Sequence, residues 1–146
     1  MRLSLNSDYS IRMLSMLATN AGELVTIAEI AQRFDISVNH LMKVANRLGQ
    51  LGYIETLRGR HGGLRLARAA EEISIGEVIR HTETDFAMVE CFAERGGCCV
   101  IAGPCRFQAI LEDARDAFLA VLDRHSLADL TTGNCSLCKL LEATRS

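Results

Sequence analysis

Apolar residues recur at helical spacing in three successive segments near the start of the chain, and this spacing predicts three helices. The first helix is predicted over 8–20. The second begins at Thr26, which opens a capping box, and breaks at Asp35. The third is capped by Ser37 and ends at Gly52. The last two helices, joined by a short turn, form a helix-turn-helix.

The pattern then changes from helical spacing to short extended runs. Residues 53–57 and 64–67 read as two strands, and the glycine-rich segment 58–63 between them suits the tip of a hairpin. Ser74 is placed to cap a further helix, after which periodicity is lost over 82–104. The predicted fold class is therefore mainly α with a small two-stranded wing.

The sequence becomes strongly helical from Arg106, and a long apolar stripe defines this last predicted helix. The short helices before it belong to the N-terminal unit, so a second copy of the stripe is the simplest cover, and we expect a homodimer with two-fold symmetry. The stripe consists of Phe107, Ile110, Leu111, Ala114, Phe118, Val121 and Leu122. The predicted organisation is a winged helix-turn-helix over 1–82, a cysteine-rich loop over 83–105, and a dimerisation helix with a tail over 106–146.

Charge is divided unevenly along a chain of 146 residues whose net charge is only −2. Residues 1–70 carry a net +4 and residues 71–146 a net −6, and 43–68 holds six basic residues and one acid. The local positive charge of the third helix and wing favours DNA phosphates as a partner. No apolar run is long enough for a membrane span or a signal peptide, so we expect a cytoplasmic protein without a membrane partner.

A helix-turn-helix places the start of its second helix in the major groove of double-stranded DNA, whereas a basic hairpin reaches the minor groove. An ordinary solvated helix face is the alternative for any one of these residues. The predicted DNA contacts are Ser37, Asn39, His40, Lys43 and Arg47 on the helix, and Arg58, Arg60 and His61 on the wing.

Four cysteines lie within 15 residues: Cys91, Cys98, Cys99 and Cys105. Thiolates are soft ligands, and the absence of two close Cys-x2-4-Cys pairs favours an iron-sulfur cluster over structural zinc. Adjacent Cys98 and Cys99 are poorly placed to bind the same iron, which indicates three cysteine ligands and a fourth from elsewhere. Cytosolic thiols are kept reduced, so a disulfide framework is not expected.

A second cysteine motif, Cys135-x2-Cys138, stands near the C-terminus. Two idle thiols are the first interpretation and a redox couple the second. A thiol oxidoreductase using this pair is the least favoured function, because no thioredoxin-like βαβ pattern surrounds it. No phosphate-binding loop, nucleophile elbow or zinc-protease motif is present either, so we expect no enzyme activity.

Five pieces of the chain resemble the Rrf2 family of bacterial winged-helix regulators that carry iron-sulfur clusters. They are residues 7–9, 39–43, 58–66, the cysteine loop and 127–130, and the resemblance spans 1–131. Segment 39–43 looks most like the family's nitric oxide-sensitive repressors, which implies a repressor that senses nitric oxide. Segment 85–92 also looks like its iron-responsive regulators, so iron availability is the alternative signal.

The resemblance implies a ligand set of Cys91, Cys99 and Cys105, with Cys98 as the alternative to Cys99. It also implies a fourth ligand, Asp8 of the partner subunit, whose other interpretation is a carboxylate favoured by the helix dipole. Regulators of cluster assembly in this family bind a [2Fe-2S] cluster through a histidine where this chain has Gln108. The resemblance therefore implies a [4Fe-4S] cluster, with [2Fe-2S] as the alternative.

Overall fold

The structure is a computed structural model that describes residues 1–92 and 99–142. Within these residues the chain is mostly helical and has one antiparallel two-stranded sheet, which confirms the predicted fold class. The helices are α1 (Leu5–Thr19), α2 (Ile27–Phe34), α3 (Val38–Gln50), α4 (Ile75–Thr82), α5 (Arg106–Asp123), α6 (Leu127–Thr131) and α7 (Cys135–Leu141). The strands are β1 (Ile54–Leu57) and β2 (Gly63–Leu66), and two short 3-10 helices cover Ala70–Glu72 and Glu90–Phe92.

Local hydrogen bonds account for the boundaries of the helix-turn-helix. Thr26 and Glu29 form the predicted capping box, with the Thr26 hydroxyl accepting from the Glu29 amide and the Glu29 carboxylate accepting from the Thr26 amide. Asp35 ends α2 in the left-handed conformation (φ 53°). Ser37 then caps α3 by accepting from the His40 amide at 3.2 Å.

Helix α1 begins three residues before the predicted start, so the boundary at residue 8 is wrong. Ser4 is the cap, since its hydroxyl accepts from the Ser7 amide at 3.2 Å. The Ser4 amide donates to Glu83 Oε1 at 2.7 Å, and the buried hydroxyls of Ser7 and Thr82 lie 2.8 Å apart. These bonds join the start of α1 to the end of α4.

The two strands of the wing form with bounds that differ from the predicted ones by one residue. Strand β1 begins at Ile54 instead of residue 53, and β2 covers Gly63–Leu66 instead of 64–67. In the sheet Ile54 pairs with Leu66 and Leu57 pairs with Gly63. At the tip, Gly59 has φ 114°, a conformation that side chains other than glycine rarely adopt. The predicted hairpin with a glycine turn is confirmed.

The hydrophobic core is centred on α1, where Met13 and Leu14 are fully buried. Helices α6 and α7, which the sequence interpretation did not include, also pack against α1. The Asn20 side chain donates to the Leu141 carbonyl at 2.8 Å, and Leu141 is buried. The C-terminal helices therefore share the core of the winged helix, while the proposed domain boundaries remain a prediction.

Helix α5 is joined closely to α4 at one end. The Arg80 guanidinium makes a two-pronged ion pair with the Asp123 carboxylate. The Ile75 amide donates to the His125 carbonyl at 2.9 Å, and the Leu127 amide donates to the Ile73 carbonyl at 2.8 Å. These contacts fix the angle between α5 and the winged helix-turn-helix.

The predicted apolar stripe of α5 is largely uncovered in a single chain. Phe107 is 60% exposed, Ile110 62% and Val121 45%, whereas Leu119 is buried.

In the parts of the chain that the structure describes, no helix is long and apolar enough to cross a membrane.

Candidate functional site

Helix α3 and its capping residue present polar side chains on the surface. Ser37, Asn39, Lys43 and Arg47 are exposed, and His40 is half-buried. The opposite face packs into the core through four buried residues: Leu41, Val44, Ala45 and Leu48. Because the core holds that buried face, the exposed residues predicted to contact DNA lie on a helix that is fixed in position.

Two apolar side chains on the exposed side of α3 were missed by the sequence interpretation. Val38 is 45% exposed and Met42 53%. They are four residues apart and therefore lie on one face, beside Asn39 and Lys43. Apolar side chains in this position are suited to contact the thymine methyl group in the major groove. Their exposure could have been predicted from the sequence, because Val38 and Met42 lie outside the set of positions with i, i+3, i+4 spacing that fills the core.

The tip of the wing carries exposed positive charge on Arg58 and Arg60, and the His61 side chain beside them is also exposed. Glu55, the one acid of segment 43–68, is opposite Arg65 in the sheet register and accepts from its Nε at 2.9 Å. Because this acid is neutralised within the sheet, the charge at the tip is left for a partner.

A buried tyrosine connects the wing to α4. The Tyr53 side chain is fully buried, its hydroxyl lies 2.8 Å from His81 Nδ1, and the Arg68 guanidinium stands 4.6 Å from its ring centroid. Burial, followed by the nearby charge of Glu77, raises the pKa of Tyr53 to about 12. The neutral phenol and the ring contact hold the base of the wing. Arg47 adds a bond from Nη2 to the His81 carbonyl at 3.4 Å.

Asp8 lies half-buried on α1, where Arg12 holds it with two bonds. Arg12 Nε donates to Oδ1 at 3.1 Å and Nη2 donates to Oδ2 at 2.8 Å. The same guanidinium lies 5.8 Å from the Tyr9 ring centroid and 5.9 Å from that of Phe34. Tyr9 in turn makes an edge contact with the His40 ring at 4.8 Å. A continuous set of contacts therefore connects Asp8 to the first turn of α3.

The predicted cysteine ligands occupy the connection between α4 and α5. Cys91 is half-buried in the 3-10 turn, Cys99 is exposed, and Cys105 is the half-buried residue that precedes α5. Cys98 lies outside the described residues. Over 1–92 and 99–142, no three Cys, His, Asp or Glu side chains stand together in a metal-binding arrangement. The described part of the single chain thus supplies free thiols of the donor type that iron-sulfur clusters require, without grouping three such donors at one place.

Taken together, the helix-turn-helix, the basic wing and the packing of α3 define a winged-helix DNA-binding protein. The profile of the Rrf2 family, described as an iron-dependent transcriptional regulator, matches residues 3–133. The chain belongs to the Rrf2 family.

Relatives specify the type of regulator. The chain is 50% identical over 142 residues to the HTH-type transcriptional regulator NsrR of Bacillus licheniformis, covering 97% of this chain and 99% of that protein. It is also 50% identical over 143 residues to NsrR of Bacillus subtilis, covering 97% and 98% of the two chains. The chain is thus a DNA-binding transcriptional regulator of the NsrR type and not an enzyme.

Solved structures share the fold. CymR (YrzC), the global cysteine regulator of B. subtilis, has a TM-score of 0.71 and 26% identity, with 90% of this chain and 97% of CymR covered. The IscR of T. potens has a TM-score of 0.72 at 22% identity, covering 100% of this chain and 94% of that one, and supports the fold alone.

Proposed function

We propose that this regulator is a repressor that binds a pseudo-palindromic operator as a homodimer and releases it when nitric oxide reacts with an iron-sulfur cluster. The observation that carries the proposal is the position of Asp8, one residue from Tyr9, whose ring contacts His40 in the DNA-reading helix. A change at Asp8 therefore has a short path to α3. The relatives named NsrR and the soft thiol donors between α4 and α5 support the same function.

The DNA contacts are assigned to the exposed start of α3 and the tip of the wing. Lys43→Ala and Arg60→Ala each remove one exposed positive charge, so each should weaken operator binding and lower the slope of log affinity against log salt by about 1. Lys139→Ala, on α7, is the matched control and should leave both unchanged. An unaltered affinity and slope in the first two variants would show that this face is only solvated.

The cluster is assigned to Cys91, Cys99 and Cys105 of one subunit and Asp8 of the partner subunit, with Cys98 as the alternative to Cys99. A [4Fe-4S] cluster is proposed, and [2Fe-2S] is the alternative. When bound, such a cluster supplies iron atoms that react with nitric oxide. Asp8 offers a hard oxygen ligand, which binds iron less firmly than a thiolate and favours a labile position.

Arg12 gives the Asp8 carboxylate a second partner within its own chain. The two bonds of Arg12 must be weakened when Asp8 turns toward the other subunit, and they form again when Asp8 is released. Arg12 also lies against the rings of Tyr9 and Phe34, so its position affects the support of α3. Asp8 and Arg12 together thus link ligand release to DNA reading.

Dimerisation is assigned to the uncovered stripe of α5. Ile110→Glu places a charge on the proposed interface and should produce a monomer in sedimentation with a large loss of operator affinity, because two readers must bind half-sites together. Leu140→Glu is the matched control, since Leu140 is 65% exposed on α7. If Ile110→Glu stays dimeric, the interface lies elsewhere.

A titration of the anaerobic holo protein tests the signal. Nitric oxide and an iron chelator are added in separate experiments while cluster absorbance and operator binding are followed. We expect nitric oxide to change the absorbance and release the DNA. Release by chelation alone would favour iron availability as the signal. Colourless protein that contains zinc and no iron would exclude both.

A further inference from the structure

The cysteine pair Cys135-x2-Cys138 is placed by the structure on the first turn of α7. Cys135 is the first residue of the helix and is exposed, and Cys138 is half-buried. Asn134 caps the helix by accepting from the Leu137 amide at 3.1 Å, and the Cys138 thiol donates to the Thr131 carbonyl at 3.7 Å. The two thiols therefore differ in access to solvent while sharing one ordered turn.

The spacing of the pair suits an internal disulfide. Residues three apart on an α-helix lie on one face, and the helix radius and rise place their Cα atoms about 5 Å apart, within the range of roughly 4.4–6.8 Å that a disulfide requires. Helical side chains lean toward the N-terminus, which directs the Cys138 sulfur back over the turn of Cys135. The bond from Cys138 to Thr131, which precedes α7, agrees with this direction.

The pair is remote from the Asp8 end of α1. The Asn20 side chain donates to the Leu141 carbonyl, so α7 packs at the C-terminal end of α1. Asp8 lies near the other end of α1, about 18 Å from Asn20 along the helix axis. A reaction at the pair can therefore proceed without disturbing the Asp8 carboxylate.

We propose that Cys135 and Cys138 are a redox-active dithiol that exchanges with low-molecular-weight disulfides, in addition to the proposed cluster. The exposed Cys135 thiolate attacks one sulfur of the small disulfide, forming a mixed disulfide and releasing one small thiol. The Cys138 thiolate then attacks the Cys135 sulfur, closes the internal disulfide and releases the second small thiol. The protein dithiol loses two electrons and two protons, and the small disulfide is reduced to two thiols.

The test uses the anaerobic holo protein and oxidised glutathione. Remaining thiols are alkylated, and peptides containing residues 135–138 are analysed by mass spectrometry while cluster absorbance is recorded. We expect a Cys135–Cys138 disulfide that dithiothreitol reverses, with unchanged absorbance. Cys138→Ser should stop at a mixed disulfide on Cys135, whereas Cys135→Ser should leave Cys138 largely unreacted because that thiol is half-buried.

Three results would overturn the proposal. In the first, both thiols stay free in the folded protein while oxidised glutathione oxidises them in the unfolded chain. In the second, the wild type retains glutathione on Cys135 and does not form the Cys135–Cys138 disulfide. Bound zinc that is lost in both serine variants would instead make the pair part of a metal site. Each result is obtained from peptides or metal content, so it is independent of the response to nitric oxide.

Discussion

The close contact between α4 and α5 depends on a glycine, Gly76, and the substitution Gly76→Ala tests this contact by adding a single carbon. An ideal Cβ at Gly76 would overlap Asp123 Oδ1 and would come within 2.9 Å of both the Asp123 Cγ and its backbone nitrogen. The carboxylate is held by Arg80 and the nitrogen belongs to α5, so Gly76→Ala must displace the end of that helix. Gly49, inside α3, is the matched control because nothing lies within 4 Å of its Cβ position.

The two substitutions should have opposite effects on stability. Forcing a methyl group into a packed contact costs roughly 1–3 kcal/mol. Alanine in place of glycine in the interior of an exposed helix gains up to about 1 kcal/mol. Gly49 is next to the last residue of α3 and Gly76 is the second residue of α4, so each helix gain is smaller than this. Only Gly76→Ala also has the packing cost, which exceeds its helix gain. At about 2–4 °C per kcal/mol, the midpoints of the two variants should differ by several degrees.

Thermal unfolding followed by circular dichroism measures the difference at one fixed chain concentration, because the proposed dimerisation would make the midpoint concentration-dependent. Gly76→Ala should unfold below the wild type and Gly49→Ala above it. Adding Asp123→Ala to Gly76→Ala separates the two contacts, since recovery would assign the clash to the carboxylate and its absence to the backbone. Equal midpoints for the two single variants would refute the close approach of α4 and α5.

Three further predictions concern the site. Arg12→Ala frees the Asp8 carboxylate and should slow loss of the proposed cluster, whereas Asp8→Ala should speed this loss and weaken the coupling between the cluster and DNA affinity. Equal spectra and equal rates of cluster loss in the two variants and the wild type would leave Asp8 with only a role at the helix end. Met42→Ala should reduce affinity for operators with thymine at the contacted position while leaving the salt slope unchanged, and an altered slope would argue against an apolar contact. Tyr53 should ionise near pH 12 in the folded protein. Because its pKa is raised by folding, Tyr53 contributes to the free energy of unfolding below about pH 10, and this stabilisation should be lost as the pH rises through 12. Tyr53→Phe should remove the step near pH 12 from the tyrosinate absorbance.

Much of the DNA-binding unit was predictable because its signals are local. The Thr26 capping box and the Ser37 cap act within one helical turn, and the glycine-rich tip of the wing is encoded in a few consecutive residues. The exposed polar residues of α3 follow from helical periodicity once the buried face is known. The capping box of α6, formed by Ser126 and Asp129, is equally local, so the start of this helix is also encoded in a few consecutive residues.

Residue type and short spacing are enough to predict the helix-turn-helix, the wing, the uneven charge and the candidate thiol ligands. Packing of the folded chain, by contrast, brings α7 back to α1, places Gly76 against Asp123, and connects Asp8 to α3 through Arg12 and Tyr9. The first two contacts join residues far apart in the chain, and the third joins neighbours on α1 to a helix that folding brings beside them. Their geometry is set by the packing of the whole core, which a periodic pattern does not encode.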